Sequence, residues 1–246
     1  MKPIPKIIAM WSGPRNLSTA LMRSFGRRAG TRVWDEPFYA AYLNKTGLQH
    51  PMGDAVIADG ITDPDAVISA CLEPPRPPCQ LIYQKHMTQH MVEGFDTSWT
   101  ARVTNAFLIR SPERVLASYA RKRASVSAED LGFRRQREMF EALAERQGEA
   151  PPVIDSTDIR RAPERALNLL CARLGLKFDP AMLSWPAGPA PGDGIWGPHW
   201  YDAVWNSTGF APPESEPPAL PDALKPILDA VRDDYLAVAR YRIDCG

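Results

Sequence analysis

Short apolar runs alternate with helical patterns over the first two-thirds of this 246-residue chain, and this constrains its fold more than any other feature. Apolar runs lie at 7–11, 31–35, 81–85, 106–110 and 152–155. Helical patterns follow Ser18, Asp63, Ser111 and Asp130, and another covers 163–174, where Gly175 supplies a C-terminal cap. Strands alternating with helices are the mark of a parallel sheet with crossover connections. The expectation is an α/β fold in three layers, a mostly parallel five-stranded sheet flanked by helices, in one domain over 1–246. In Ser111-Pro112-Glu113 the start of a helix is explicit: serine as cap, proline in the first turn, and an acid at the positive end of the dipole.

From 186 to 221 the pattern changes. Proline, glycine, tryptophan and serine dominate, which excludes regular helix and central strand. Trp196, Trp200, Tyr201, Trp205 and Phe210 carry too much apolar surface for a flexible linker, so 185–221 is expected to be an ordered loop or lid over a site. A last helix at about 223–239, within 222–241, ends the chain.

Formal net charge is zero, so no overall field draws the chain to nucleic acid or to an anionic membrane. Arg121-Lys122-Arg123 and Arg134-Arg135 remain as local basic runs. Cys71, Cys79, Cys171 and Cys245 have neither zinc nor redox spacing and are read as free thiols in a reducing, cytoplasmic compartment. The apolar run near the N-terminus is too short for a signal peptide, and no segment reaches membrane-spanning length.

Two segments suggest anion sites. The first is Ser12-Gly13-Pro14-Arg15-Asn16-Leu17-Ser18-Thr19, between the first strand and the first helix. Small residues let backbone approach an anion, the helix N-terminus points N–H groups at it, and Arg15, Ser18 and Thr19 add side-chain donors. The lysine of a triphosphate-binding loop is missing. The plainer reading is a strand-to-helix turn with Ser18 as cap. The second segment is the strand ending in Arg110, with Ser118 eight residues on, on the same helix face as Arg114. A metal-dependent nucleotidase would carry an aspartate at this strand end. An arginine at the carboxyl edge of the sheet favours a ligand with a second anionic group.

These features resemble the sulfotransferases that use 3′-phosphoadenosine 5′-phosphosulfate (PAPS), whose 5′-phosphosulfate loop reads P-[KR]-S-G-T-T and whose 3′-phosphate site pairs a strand-end arginine with a serine eight residues later. Pro14–Thr19 matches the loop, with Asn16 and Leu17 in place of Ser and Gly. Val153-Ile154-Asp155, Pro163-Glu164 and Phe178-Asp179-Pro180 resemble the final strand and helix. Trp11–Arg15, Asp35–Tyr39, Lys85-His86, Asp193–Trp196 and Ser207–Phe210 resemble a narrower branch, found alone in bacteria and fused to aminotransferase-like domains in plants.

The resemblance implies sulfuryl transfer from PAPS to a hydroxyl or amine of a small acceptor, without metal, in a nucleotide-kinase-like fold. It implies that Ser12, Gly13, Pro14, Arg15, Asn16, Leu17, Ser18 and Thr19 hold the phosphosulfate and that Arg110 and Ser118 hold the 3′-phosphate. Lys85 becomes the cation beside the transferred group. Many relatives carry Lys-x-His, with both side chains on one strand face. Here Lys85 and His86 are adjacent and serve one site only if the chain turns at His86. His86 is the preferred base, with His90 and Glu36 as alternatives. The family's C-terminal Arg-Lys-Gly element is absent, so His199, Ser207, Thr208 or Arg121 would replace it, and Ala20 stands where an aromatic commonly stacks on adenine. A nucleotide-kinase-like phosphotransferase and a non-catalytic nucleotide-binding module are the alternatives.

Overall fold

In a computed structural model, which describes residues 6–121 and 126–246, five strands form one sheet. They are β1 (Lys6–Ser12), β2 (Thr31–Asp35), β3 (Leu81–Met87), β4 (Thr104–Ile109) and β5 (Val153–Asp155), in the order β2-β3-β1-β4-β5. Every pairing in the sheet is parallel. Arg110 therefore lies just past β4, at the carboxyl edge.

The helices are α1 (Ser18–Gly26), α2 (Tyr39–Thr46), α3 (Gly53–Asp59), α4 (Pro64–Cys71), α5 (Pro112–Ala120), α6 (Ala128–Leu131), α7 (Phe133–Gln147), α8 (Ser156–Arg161), α9 (Pro163–Arg173), α10 (Gly197–Trp200), α11 (Asp202–Trp205) and α12 (Lys225–Ala239). Asp63 caps α4, accepting from the Asp65 N–H at 3.1 Å. The pattern after Asp130 divides at Gly132, and Asp130 itself belongs to a capping box with Ser127. Gly175 adopts φ 65° just past Leu174, the C-cap of α9, which suits a residue without Cβ. At α5 the proline and the acid sit as expected, but Ser111 makes no side-chain cap, and its carbonyl takes the Arg114 and Val115 N–H groups instead.

The sheet is buried on both faces, and its strands alternate accordingly. Ile8, Met10, Tyr83 and Leu108 meet α1 and α9 through Leu21, Phe25, Leu167 and Leu170. Ala9, Trp11, Phe107 and Ile109 meet Phe38, Trp99, Met139 and Phe140 on the opposite face.

The proline- and tryptophan-rich segment is ordered. Gly188 donates to the Trp205 carbonyl at 2.7 Å, Ser184 bridges Gly209, and Trp185, Trp196 and Tyr201 are buried. Its main tether is ionic. Asp193 Oδ2 receives Arg23 Nη2 of α1 at 2.6 Å, Trp205 Nε1 at 3.0 Å and the Ala190 N–H at 3.0 Å. The Arg23 and Asp193 side chains are only 6% and 7% exposed, so removing one partner leaves a buried charge uncompensated. Arg23→Ala is expected to cost about 3–5 kcal/mol, read as a lower urea midpoint at an unchanged slope.

Candidate active site

The loop after β1 is held in a strained form. Arg15 and Leu17 have φ values of 62° and 71°, in the left-handed region. For residues with a Cβ this costs of the order of 1–3 kcal/mol each. Leu17 stands where the related loops carry glycine, the residue that takes this conformation freely. Asn16 is buried and ties the loop to itself, its amide donating to the Pro14 carbonyl at 3.0 Å and accepting from the Gly13 N–H at 3.3 Å. A Cβ at Gly13 would come within 2.8 Å of the Leu131 carbonyl, so only glycine fits. α1 starts after Leu17 with no side-chain cap, so Ser18 is not the cap of a plain turn. Its first N–H groups thus face the carboxyl edge as an anion site does.

Beside this loop lies a buried ionic cluster. Lys85 Nζ is 2.8 Å from Asp35 Oδ1 and 3.2 Å from the Tyr201 hydroxyl, and it also bonds Glu36 Oε1. Tyr201 donates in turn to Asp35 Oδ2, which also receives the Gly194 N–H at 3.1 Å. Parallel register sets the pairing, because Asp35 and Lys85 are partners across β2 and β3. Burial pushes the Lys85 amine down, but Asp35 and Glu36 outweigh it and the net shift is upward, so the ammonium is retained. Burial, only partly offset by Lys85, raises Glu36 above the ordinary carboxylate range. Exposure separates the members: the side chains of Lys85, Asp35 and Glu36 are 2%, 1% and 11% accessible. Glu36 is therefore the member a ligand can reach. It lies at φ 44° and lines a cavity of about 290 Å³ whose walls include Ile61, Ile195 and Trp196.

β3 continues through His86 to Met87, so His86 points to the face opposite Lys85. It stacks on Trp11 with ring centroids 4.4 Å apart, and its Nε2 lies 3.1 Å from Gln84 Oε1. Burial, with Lys85 adding to it, pushes its pKa down to about 3. The turn that would bring Lys85 and His86 together does not occur. His90 lies on the Glu36 side, its Nε2 3.9 Å from Glu36 Oε2, between the rings of Tyr39 and Tyr42 at 4.7 Å each. Burial, followed by Lys85, holds it neutral.

The second anion segment meets the first directly. Arg15 Nε donates to Ser118 Oγ at 3.1 Å, and Arg110 Nη1 donates to the Arg15 carbonyl at 2.7 Å. Burial, followed by Arg110 and Arg121, pushes the Arg15 guanidinium down, a sign of crowded cations. Arg114 and Arg160 join Arg110 around the carboxylate of Glu214. Ser207 and Thr208 stay within their own segment: Trp185 Nε1 donates to Ser207 Oγ at 3.2 Å, and the Trp185 N–H to the Thr208 carbonyl at 3.0 Å. His199 packs edge-on against Trp200. Of the basic run at 121–123, Lys122 and Arg123 lie outside the described residues. Among the described residues the four cysteines are free, and no helix is long and apolar enough to cross a membrane.

A family model described as "Sulfotransferase domain" matches residues 5–240. The chain belongs to the sulfotransferase-domain family. It is 36% identical over 217 residues to branched-chain-amino-acid aminotransferase-like protein 1 of Arabidopsis thaliana, covering 88% of this chain. The match spans only 39% of that relative's length. Such a partial match to a plant aminotransferase-like protein agrees with the branch that the sequence resembles. The fold is similar to the sulfotransferase domain from the curacin biosynthetic pathway, with a TM-score of 0.54, 16% identity, and 94% and 99% of the two chains covered. It is also similar to a sulfotransferase from Alicyclobacillus acidocaldarius, with a TM-score of 0.55, 11% identity, and 96% and 95% covered. At these identities the likeness is one of fold.

Within this sulfotransferase domain, sequence reasoning missed Tyr201, Arg160 and Glu214 as parts of the site. Tyr201 was legible only as one aromatic among several, and no spacing signalled Arg160 or Glu214. The Lys85 cluster also predicts a pH dependence. Lys85→Ala leaves Asp35 and Glu36 buried without their cation, at a cost of about 3–5 kcal/mol near neutral pH. Glu36, already raised by burial, then loses the offset that Lys85 provides, so its folded-state pKa lies above its unfolded one. Below the unfolded value both states are protonated and the cost vanishes; it grows as pH rises through the folded value. Urea melts of the two proteins should therefore converge on acidification and diverge toward neutrality.

Proposed function

We propose that this chain moves a sulfuryl group from PAPS to a hydroxyl or amine of a small acceptor. One observation carries the reading. Two charged clusters flank the uncapped start of α1 at the carboxyl edge: an arginine cluster that already holds a carboxylate, and a lysine paired with a partly accessible acid. That edge, beside β1 and β4 where chain connections diverge, is where open α/β sheets take their ligands. A donor with two separated anionic groups suits it, since a carboxylate at the arginines stands in for one of them.

PAPS supplies a sulfuryl group on a phosphate leaving group. In this reading the chain's residues do the rest. The loop at 12–19, with Arg15, Ser18 and Thr19, holds the 5′ end, and Arg110 and Ser118 hold the 3′-phosphate. Glu36 takes the proton from the acceptor nucleophile. Burial raises its pKa, which strengthens it as a base, whereas His86 is stacked on the far face and bonded to Gln84. Once Glu36 is protonated its charge no longer compensates Lys85, whose ammonium then opposes the negative charge growing on the leaving phosphate. Segment 185–210 closes the cavity beside Glu36, where Ile195 and Trp196 favour an acceptor with an apolar part and exclude water. The free thiols favour a reducing compartment.

Two tests follow. Adenosine 3′,5′-bisphosphate is expected to bind without metal by titration calorimetry, and Arg110→Ala and Ser118→Ala should each weaken it about 10–100-fold, the worth of a hydrogen bond to a charged group. Preference for magnesium-ATP would replace this reading with the phosphotransferase. With an acceptor in hand, Glu36→Gln should lower kcat about 10²–10⁴-fold. The acid limb of the wild-type rate profile should lie above the ordinary carboxylate range, because the base must lose its proton and its pKa is raised.

A further inference from the structure

The arginine cluster holds an occupant from the chain itself. Arg110 Nη2 bonds Glu214 Oε1, Arg160 Nη1 lies 2.6 Å from the same oxygen, and Arg114 Nη1 lies 3.5 Å from Oε2. Three guanidinium groups, from the end of β4, from α5 and from α8, thus converge on a single carboxylate. Their positive charge exceeds what one carboxylate neutralises, and burial already pushes Arg110 down despite its pair with Glu214. Guanidinium forks also match phosphate oxygens better than one monoanionic carboxylate can.

The segment that carries Glu214 is built to come away. Residues 211–221 include five prolines and make up an irregular run. From 211 to 219 every residue except Glu214 is exposed. No backbone-to-backbone hydrogen bond is formed by residues 211–220 among the described residues. The same arginines supply what holds the run down: Arg160 Nε donates to the Pro212 carbonyl at 2.9 Å, and Arg114 Nη2 donates to the Ser215 carbonyl. Apolar contacts fix only the ends, through Phe210 on Trp185 and Leu220 among the residues of α5 and α12.

We propose that Glu214 is an intramolecular competitor for the donor's 3′-phosphate: it fills the arginine site when no donor is bound, and the 211–219 strap lifts as donor enters. The inference rests on the donor reading above and adds Arg114 and Arg160 to the phosphate ligands. They take the place of the missing C-terminal basic element. Glu214 then sets donor affinity, because only the strap-off state is competent to bind. In the strap-on state and in the donor-bound state alike the arginines face an anion.

Titration of wild type and Glu214→Gln with adenosine 3′,5′-bisphosphate and with adenosine 5′-monophosphate tests this. If the strap-off state is about 1–10% populated, Glu214→Gln tightens the bisphosphate about 10–100-fold and leaves the monophosphate unchanged. Limited proteolysis of the wild-type protein needs no variant: bisphosphate should speed cleavage after Glu214 by a glutamate-specific protease. Equal or weaker bisphosphate affinity in Glu214→Gln, or protection of the strap on binding, overturns the inference while leaving the donor reading intact. Equal tightening of both nucleotides also overturns it, since Glu214 would then act as a general charge. Failure of wild type and variant alike to bind bisphosphate removes the donor reading and this inference with it.

Discussion

The ammonium of Lys85 is the constraint around which the carboxyl edge is organised. A charge this deeply buried survives only with partners at hydrogen-bonding distance. Asp35 at the end of β2 and Glu36 just past it provide them, and Tyr201 provides a third from the far C-terminal segment. One cation thereby fixes the relative positions of two strands and an irregular stretch more than a hundred residues downstream. The stretch has no ladder of its own to hold it, so its order comes from such polar anchors: Tyr201 and Gly194 on Asp35, and Asp193 on Arg23. Structure and candidate chemistry share these groups, and perturbing the site perturbs the fold around it.

How much of this was legible in the sequence depends on whether periodicity carries the information. The five strands and the helices at 163–174 and 223–239 were readable because buried strands and amphipathic helices leave a regular trace. Period-two alternation also carried the answer on His86. Adjacent residues of a strand face opposite ways, and β3 does not turn until after Met87, so His86 joins Trp11, Phe38 and Trp99 in aromatic packing. The resemblance to Lys-x-His pulled the other way, and strand geometry prevailed. Glu214 and Tyr201 were illegible for the opposite reason: they sit in runs with no period, brought home by long-range ion pairs and hydrogen bonds. The Ser111 signal failed locally, because Arg114 and Val115 took the serine's carbonyl and left its hydroxyl buried without a partner among the described residues.

Strain is concentrated where the candidate chemistry lies. Among the described residues, four non-glycine positions have positive φ, and three of them are Arg15, Leu17 and Glu36. Each would relax if it could. Asn16 within the loop, the Leu131 carbonyl against Gly13, and the ionic grip on Glu36 prevent it. Strain persists only where surroundings over-determine it, and here the surroundings are the packed layer of α6 and the Lys85 cluster.

The chain has no net charge, yet its carboxyl edge is polarised. At β2 and β3, two carboxylates face one ammonium; past β4 and β5, three guanidinium groups face one carboxylate. The start of α1, with its own partial positive charge, lies between them. A uniformly basic groove would bind any polyanion, whereas this gradient orders a ligand end to end. Its anionic part is drawn toward Arg110, and a neutral nucleophile can approach Glu36 without meeting an uncompensated cation. Local segregation of charge at zero net charge thus gives orientation without non-specific attraction, which suits the proposed reading, in which a charged donor and a small acceptor are held in line.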